Sequence, residues 1–232
     1  LRSKMDANDY KSYLLGMICY KYLSDQLLFY VAETMQEETD SLEEALEIYR
    51  KYYKDSREDL ESIIKGELNY VIVPELTFTA MVERANNGTF QLEDLAQGLR
   101  DIEQSDDLYE NLFEDIDLYS KKLGATPQKQ NQVVAAVMKE LAVLDVAGHA
   151  GDMLGDAYEY LIGQFATDSG KKAGEFYTPQ PVAKLMTQIA FLGREDEQGF
   201  TIYDATMGSG SLLLNAKKFS HQPQTVQYFG QE

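Results

Sequence analysis

The chain has 232 residues, 44% of them hydrophobic, which suffices for one or two domains with their own cores. One cysteine and two distant histidines, His149 and His221, exclude a disulfide framework, a thiolate zinc cluster and a histidine metal site, and a net charge of −18 excludes a surface that clamps nucleic-acid phosphates over its whole extent. No apolar run approaches the roughly 20 residues of a membrane span, and Leu1-Arg2-Ser3-Lys4-Met5 lacks the apolar core of a signal peptide, so a cytoplasmic protein without a membrane partner or a bound metal is expected.

Residues 6–37 read as a helix, with Asp6 as its cap and Tyr10, Tyr13, Leu14, Met17, Ile18, Lys21 and Tyr22 recurring at three-to-four spacing. Met17 and Cys19 lie on its apolar side and read as packing. Residues 33–47 carry seven acids and no base, a solvated face. Ser41-Leu42-Glu43-Glu44 is a capping-box pattern at the head of a second amphipathic helix, and residues 56–64 form a further short one. Tyr70-Val71-Ile72-Val73-Pro74 is a brief extended stretch. Helix resumes over 74–84, and Asn86-Asn87-Gly88 signals a turn. Helical spacing returns over 89–102 through Leu92, Leu95 and Leu99, while 112–118 is irregular or briefly helical. Residues 128–144 are a helix with Val133, Val134, Val137, Met138 and Leu141 on one face. A loop over 148–155 precedes a helix over 156–165 with Tyr158, Leu161, Ile162 and Phe165 inward. Residues 1–165 are therefore a mostly α-helical domain.

The texture then changes. Residues 165–232 have a net charge of −1, against −17 for residues 1–164. Residues 167–174, with Lys171-Lys172, read as a solvated linker rather than a phosphate contact. Thr178-Pro179 starts a helix well, threonine as cap and proline where its missing N–H costs nothing; Val182, Leu185, Met186 and Ile189 are its expected buried stripe. A charged loop over 193–199 leads to a strand over 200–204, a tight turn at Gly208-Ser209-Gly210, a helix over 211–219 and a second strand over 225–229, with Glu232 at its C-terminal end. This β–turn–α–β unit makes residues 166–232 the start of an α/β, Rossmann-like domain. Its glycines let the backbone approach a ligand, the helix N-terminus points free N–H groups into the same space, and Glu232 lies where a ribose-binding acid is expected. Leu213 replaces the third glycine of the dinucleotide fingerprint, which disfavours NAD and FAD. By itself the segment is either a nucleotide site or a structural turn, with Asp204 as a turn carboxylate and Glu232 as an exposed strand end.

Gly174-Glu175-Phe176-Tyr177-Thr178-Pro179-Gln180-Pro181-Val182, followed by Asp204-Ala205-Thr206-Met207-Gly208-Ser209-Gly210, resembles the modification subunit of type I restriction-modification systems. Gly230-Gln231-Glu232 resembles that family's next cofactor motif. Met5-Asp6-Ala7-Asn8-Asp9-Tyr10-Lys11 and Lys21-Tyr22-Leu23-Ser24-Asp25 resemble its opening helix, so the likeness covers nearly the whole chain. It implies an S-adenosyl-L-methionine-dependent DNA methyltransferase acting on the exocyclic amino group of adenine in a specific sequence. The cofactor residues it implies are Glu175, Phe176, Tyr177, Thr178, Pro179, Gln180, Asp204, Gly208, Ser209, Gly210, Ser211 and Glu232. The aromatic faces of Phe176 or Tyr177 suit a sulfonium by cation–π contact, ordinary core packing being the alternative. Ala205, Met207 and Ser211 depart from the family's proline, small residue and glycine.

The family's Asn-Pro-Pro-Phe-type loop, on which a flipped base stacks, is missing: Pro74, Pro127, Pro179, Pro181 and Pro223 are the prolines, and no two are adjacent. The catalytic loop is expected beyond Glu232, leaving this segment inactive alone. The implied partners are DNA, a specificity subunit, a restriction subunit and a second copy of the methylation subunit. The alternatives are a stand-alone amino-methyltransferase of the same motif order, a non-catalytic interaction module with a vestigial nucleotide fold, and an NAD-dependent enzyme.

Overall fold

A computed structural model describes residues 7–144, 178, 180–208 and 210–231. The chain divides into two compact units, Leu1–Tyr158 and Glu159–Glu232. The expected loop over 148–155, helix over 156–165 and linker over 167–174 lie outside the described residues, as does the Asp6 cap.

The first unit is built on α1 (Ala7–Thr34). Tyr13, Met17, Tyr20, Ser24, Leu27, Leu28 and Val31 form its buried stripe at helical spacing. Lys21 and Asp25 are buried too. One turn apart, they form an ion pair, and Lys21 Nζ sits 5.5 Å from the Phe78 ring centroid. A buried charge is tolerable only when paired, and the i, i+4 spacing supplies the partner.

Ser41 caps α2 (Leu42–Asp55) by accepting the Glu44 N–H at 3.3 Å. The return arm of the expected capping box is relayed. Thr39 Oγ1 accepts the Ser41 N–H at 3.1 Å and donates to Glu44 Oε2 at 2.7 Å, because a hydroxyl can do both. α3 (Arg57–Leu68) runs beyond residue 64 and stops at Asn69, whose φ of 62° is left-handed. Residues 70–73 belong to no helix or strand, Val73 being extended, and Tyr70 and Ile72 are buried. Tyrosine hydroxyls satisfy carbonyls around this non-helical stretch: Tyr49 donates to Ile72 O at 2.9 Å and Tyr20 to Leu76 O at 2.6 Å.

The helix expected over 74–84 is interrupted. A 3-10 turn, Pro74–Leu76, ends at Thr77, which caps α4 (Phe78–Asn86), while Ser24 Oγ accepts the Phe78 N–H at 2.8 Å. α5 (Leu92–Glu103) follows Gly88, whose φ of 74° makes the turn. α6 (Pro127–Ala142) has Thr126 as its cap and proline at its first position. Its buried face is Gln130, Val134, Met138 and Leu141, with Val133 and Val137 half-buried. The buried Gln130 amide donates to Tyr119 O and Gly124 O, so a polar residue takes an inward position the apolar pattern left out.

In the second unit, α7 (Gln180–Phe191) precedes β1 (Thr201–Asp204), α8 (Ser211–Phe219), a 3-10 turn at Pro223–Thr225 and β2 (Gln227–Gly230). The strands are parallel, with Thr201 opposite Gln227 and Asp204 opposite Gly230. Phe191, Phe200, Ala216 and Val226 make the core, the two phenylalanine rings stacking at 4.4 Å. The expected stripe of α7 is a correction: Val182, Leu185, Met186 and Ile189 are 45–65% exposed. Ala183, Thr187 and Phe191 are buried instead. Ala183 and Thr187 are small and one turn apart, and the Thr187 hydroxyl donates to Ala183 O at 2.9 Å and reaches Leu212 O of α8 at 3.5 Å, while Phe191 fills the core.

Candidate functional site

β1 carries the chain upward to Asp204, and the parallel crossover through α8 returns it to β2, so the β1–α8 turn and the end of β2 share the carboxyl edge of the sheet. That edge is where open α/β sheets bind ligands. Gly208 and Gly210 have φ of 51° and 75°, a left-handed backbone that suits glycine. Among the described residues, a side chain on Gly208 would meet nothing within 4 Å. Gly210 is the N-cap of α8 and offers no side chain to cap it. Among the described residues no side chain caps α8, which leaves its first N–H groups to a ligand or water.

Asp204 Oδ1 accepts the Thr206 N–H at 3.0 Å, which shapes the start of the turn. Asp204 Oδ2 is buried and has no hydrogen-bond partner among the described residues. A buried carboxylate oxygen left unpaired is costly unless another group donates to it. The turn is tied to β2 by backbone. Gln231 N–H donates to Asp204 O, and Met207 N–H donates to Gln231 O, both at 2.9 Å. The Gln231 side chain accepts the Tyr203 hydroxyl at 2.7 Å.

Of the residues singled out in the sequence, the structure brings Asp204, Gly208, Gly210 and the first residue of α8, Ser211, together at this edge. Thr178 is half-buried just before α7, and Gln180 opens that helix. Glu175, Phe176, Tyr177, Pro179, Ser209 and Glu232 lie outside the described residues. Sequence reasoning missed the fastening roles of Met207, Gln231 and Tyr203. Met207 carried a signal as a departure from a small residue, but nothing in the string tells what it touches.

Two family models match: the HsdM N-terminal domain over residues 1–141 and N-6 DNA Methylase over residues 149–232. The chain is 32% identical over 255 aligned residues to the type I restriction enzyme MpnII methylase subunit of Mycoplasma pneumoniae, covering 100% of this chain and 45% of that protein. It is 29% identical to the type I restriction enzyme MjaVIII methylase subunit of Methanocaldococcus jannaschii, over 97% of this chain and 35% of that one. Among solved structures it is similar to a type I restriction-modification system methyltransferase subunit from Streptococcus thermophilus, with 84% identity and a TM-score of 0.92, over 100% of this chain and 49% of the other. The chain thus spans less than half the length of these relatives.

Proposed function

The chain belongs to the family of type I restriction-modification methylase subunits, and from that membership we propose that it is the front part of a DNA methyltransferase that moves methyl from S-adenosyl-L-methionine to the exocyclic amino group of adenine. In this reading a helical domain spans residues 1–165, and a Rossmann-like methyltransferase domain begins at 166. The observation that carries the cofactor assignment is Asp204 Oδ2, which among the described residues has no partner and lies beside a glycine turn and a helix N-terminus that no described side chain fills or caps.

These residues fit the cofactor chemically. The α8 N–H groups are donors for a carboxylate, and the free Asp204 oxygen is an acceptor for an amino or hydroxyl group. Gly208 and Gly210 keep the approach clear of side chains. Glu232 would hold the ribose hydroxyls, and the segment from Glu175 to Gln180 with Ser209 and Ser211 would complete the pocket, Phe176 or Tyr177 facing the sulfonium. The bound cofactor supplies an activated methyl group; these side chains bind and orient it. The groups that receive the base belong to the longer protein. DNA, a specificity subunit, a restriction subunit and a second methylation subunit are its partners in this reading, in the cytoplasm. Among the described residues no helix is long and apolar enough to cross a membrane.

Calorimetry with S-adenosyl-L-methionine on the full-length subunit tests the assignment. Saturable binding that weakens at least about tenfold in Asp204→Ala is expected, a charge-assisted hydrogen bond being worth about 1.5–3 kcal/mol. No binding by the wild type sinks it. Residues 1–232 alone should transfer no methyl group to DNA, and detectable transfer would refute that.

A further inference from the structure

We infer that Met207 is a positioning residue whose side chain sets the spacing between the glycine turn and the end of β2, and thereby the affinity for S-adenosyl-L-methionine; the inference rests on the cofactor reading above. The backbone of Met207 is held at both ends. Its N–H donates to Gln231 O, and its C=O accepts the Gly210 N–H, each at 2.9 Å. It therefore couples the second glycine of the turn directly to the residue before Glu232. Gln231 in turn is fastened to β1 through the Asp204 carbonyl and the Tyr203 hydroxyl.

The side chain completes the coupling. A methyl group placed on Gly230 would overlap Met207 Sδ and lie 3.1 Å from Met207 Cγ and 3.3 Å from Leu213 Cδ1. The thioether thus fills the space between the last residue of β2 and the first turn of α8, where Leu213 is buried. Gly230 is a strand residue and is not among the glycines with positive φ. Its backbone makes no demand for glycine; the demand comes chiefly from Met207. A small residue at 207 would leave only the 3.3 Å contact with Leu213 Cδ1 against a methyl group at 230, so the two positions act as a pair. Any side chain at 230 must displace the thioether from the space between β2 and α8.

The assembled methyltransferase provides the test, with cofactor affinity by calorimetry and single-turnover methyl transfer at saturating cofactor. Gly230→Ala should raise the Kd about tenfold while the saturated rate stays within about twofold, since the defect is in binding geometry. Adding Met207→Ala should bring the Kd back to within about threefold of Met207→Ala alone, a strong departure from additivity. Met207→Leu, which keeps the bulk, should not rescue. Met207→Ala alone adds no bulk and stays folded. It should raise the Kd about threefold, with Tm within about 2 °C of the wild type. Additive effects, an unchanged Kd in Met207→Ala, or a loss of rate without a change in Kd overturn the inference while leaving the cofactor reading intact. Absence of binding in the wild type removes both.

Discussion

Lys21 and Asp25 show how a single contact can invert the meaning of a residue. The spacing of α1 put Lys21 in line with the apolar residues, and it is indeed buried, but only because Asp25 one turn on is buried beside it. Removing one partner strands the other charge in a medium that solvates it poorly. Asp25→Ala should therefore cost about 3–5 kcal/mol in urea denaturation, while Lys21→Met combined with Asp25→Leu should cost clearly less. Equal losses in the two variants would show that packing, not the unpaired charge, sets the cost. Gly98 is a second such residue: a methyl group there would overlap the Tyr20 hydroxyl, which is already donating to Leu76 O. Gly98→Ala should cost about 1–3 kcal/mol as an overpacked site, although alanine is the better helix former; a gain in stability would show that Tyr20 can move aside.

At the scale of the element, caps were legible and faces were not always so. Ser41 accepts an N–H three residues on, as the local pattern implies, because a capping bond is made within one turn; Thr126 does the same for α6, a cap the reading of 128–144 left out. The helix over 211–219 and the turn before it needed only glycines and an apolar period. α7 differs, since it is apolar on two sides, and periodicity cannot choose between them. Packing on α8 chose the side with Ala183 and Thr187. In the 232-residue chain, Leu185→Lys should change stability by no more than about 0.5 kcal/mol, while Ala183→Leu should cost about 1–3 kcal/mol. Thermal melts of the two variants decide the matter, and the reverse order would restore the face the sequence suggested. Thr77 and Asn69 likewise reset helix boundaries, through a side-chain cap and a left-handed residue that a window of hydrophobicity does not register.

For the molecule as a whole, the buried phenols and the half-buried Cys19 thiol of the helical unit make stability depend on alkaline pH. Burial pushes the Cys19 thiol up to about 11 and raises the Tyr20, Tyr49 and Tyr70 hydroxyls well above their ordinary range. The folded chain keeps these protons after the unfolded chain has released them. Their contribution is complete below about pH 9 and is lost as the pH rises through about 11 for Cys19 and higher for the tyrosines. Urea midpoints should fall across pH 9 to 11, and the fall should be shallower in Cys19→Ala; equal slopes would mean that the thiol takes no part. Family, helical character and the β–turn–α–β unit could all be read from the sequence, because motifs, caps and periodicity are local in the chain. The opposite holds for the buried Lys21–Asp25 pair against Phe78, the inward face of α7 and the Met207–Gly230 contact. Each depends on what a distant segment presents, and only close packing in three dimensions decides which of two locally acceptable arrangements leaves no overlap and no unpaired buried charge.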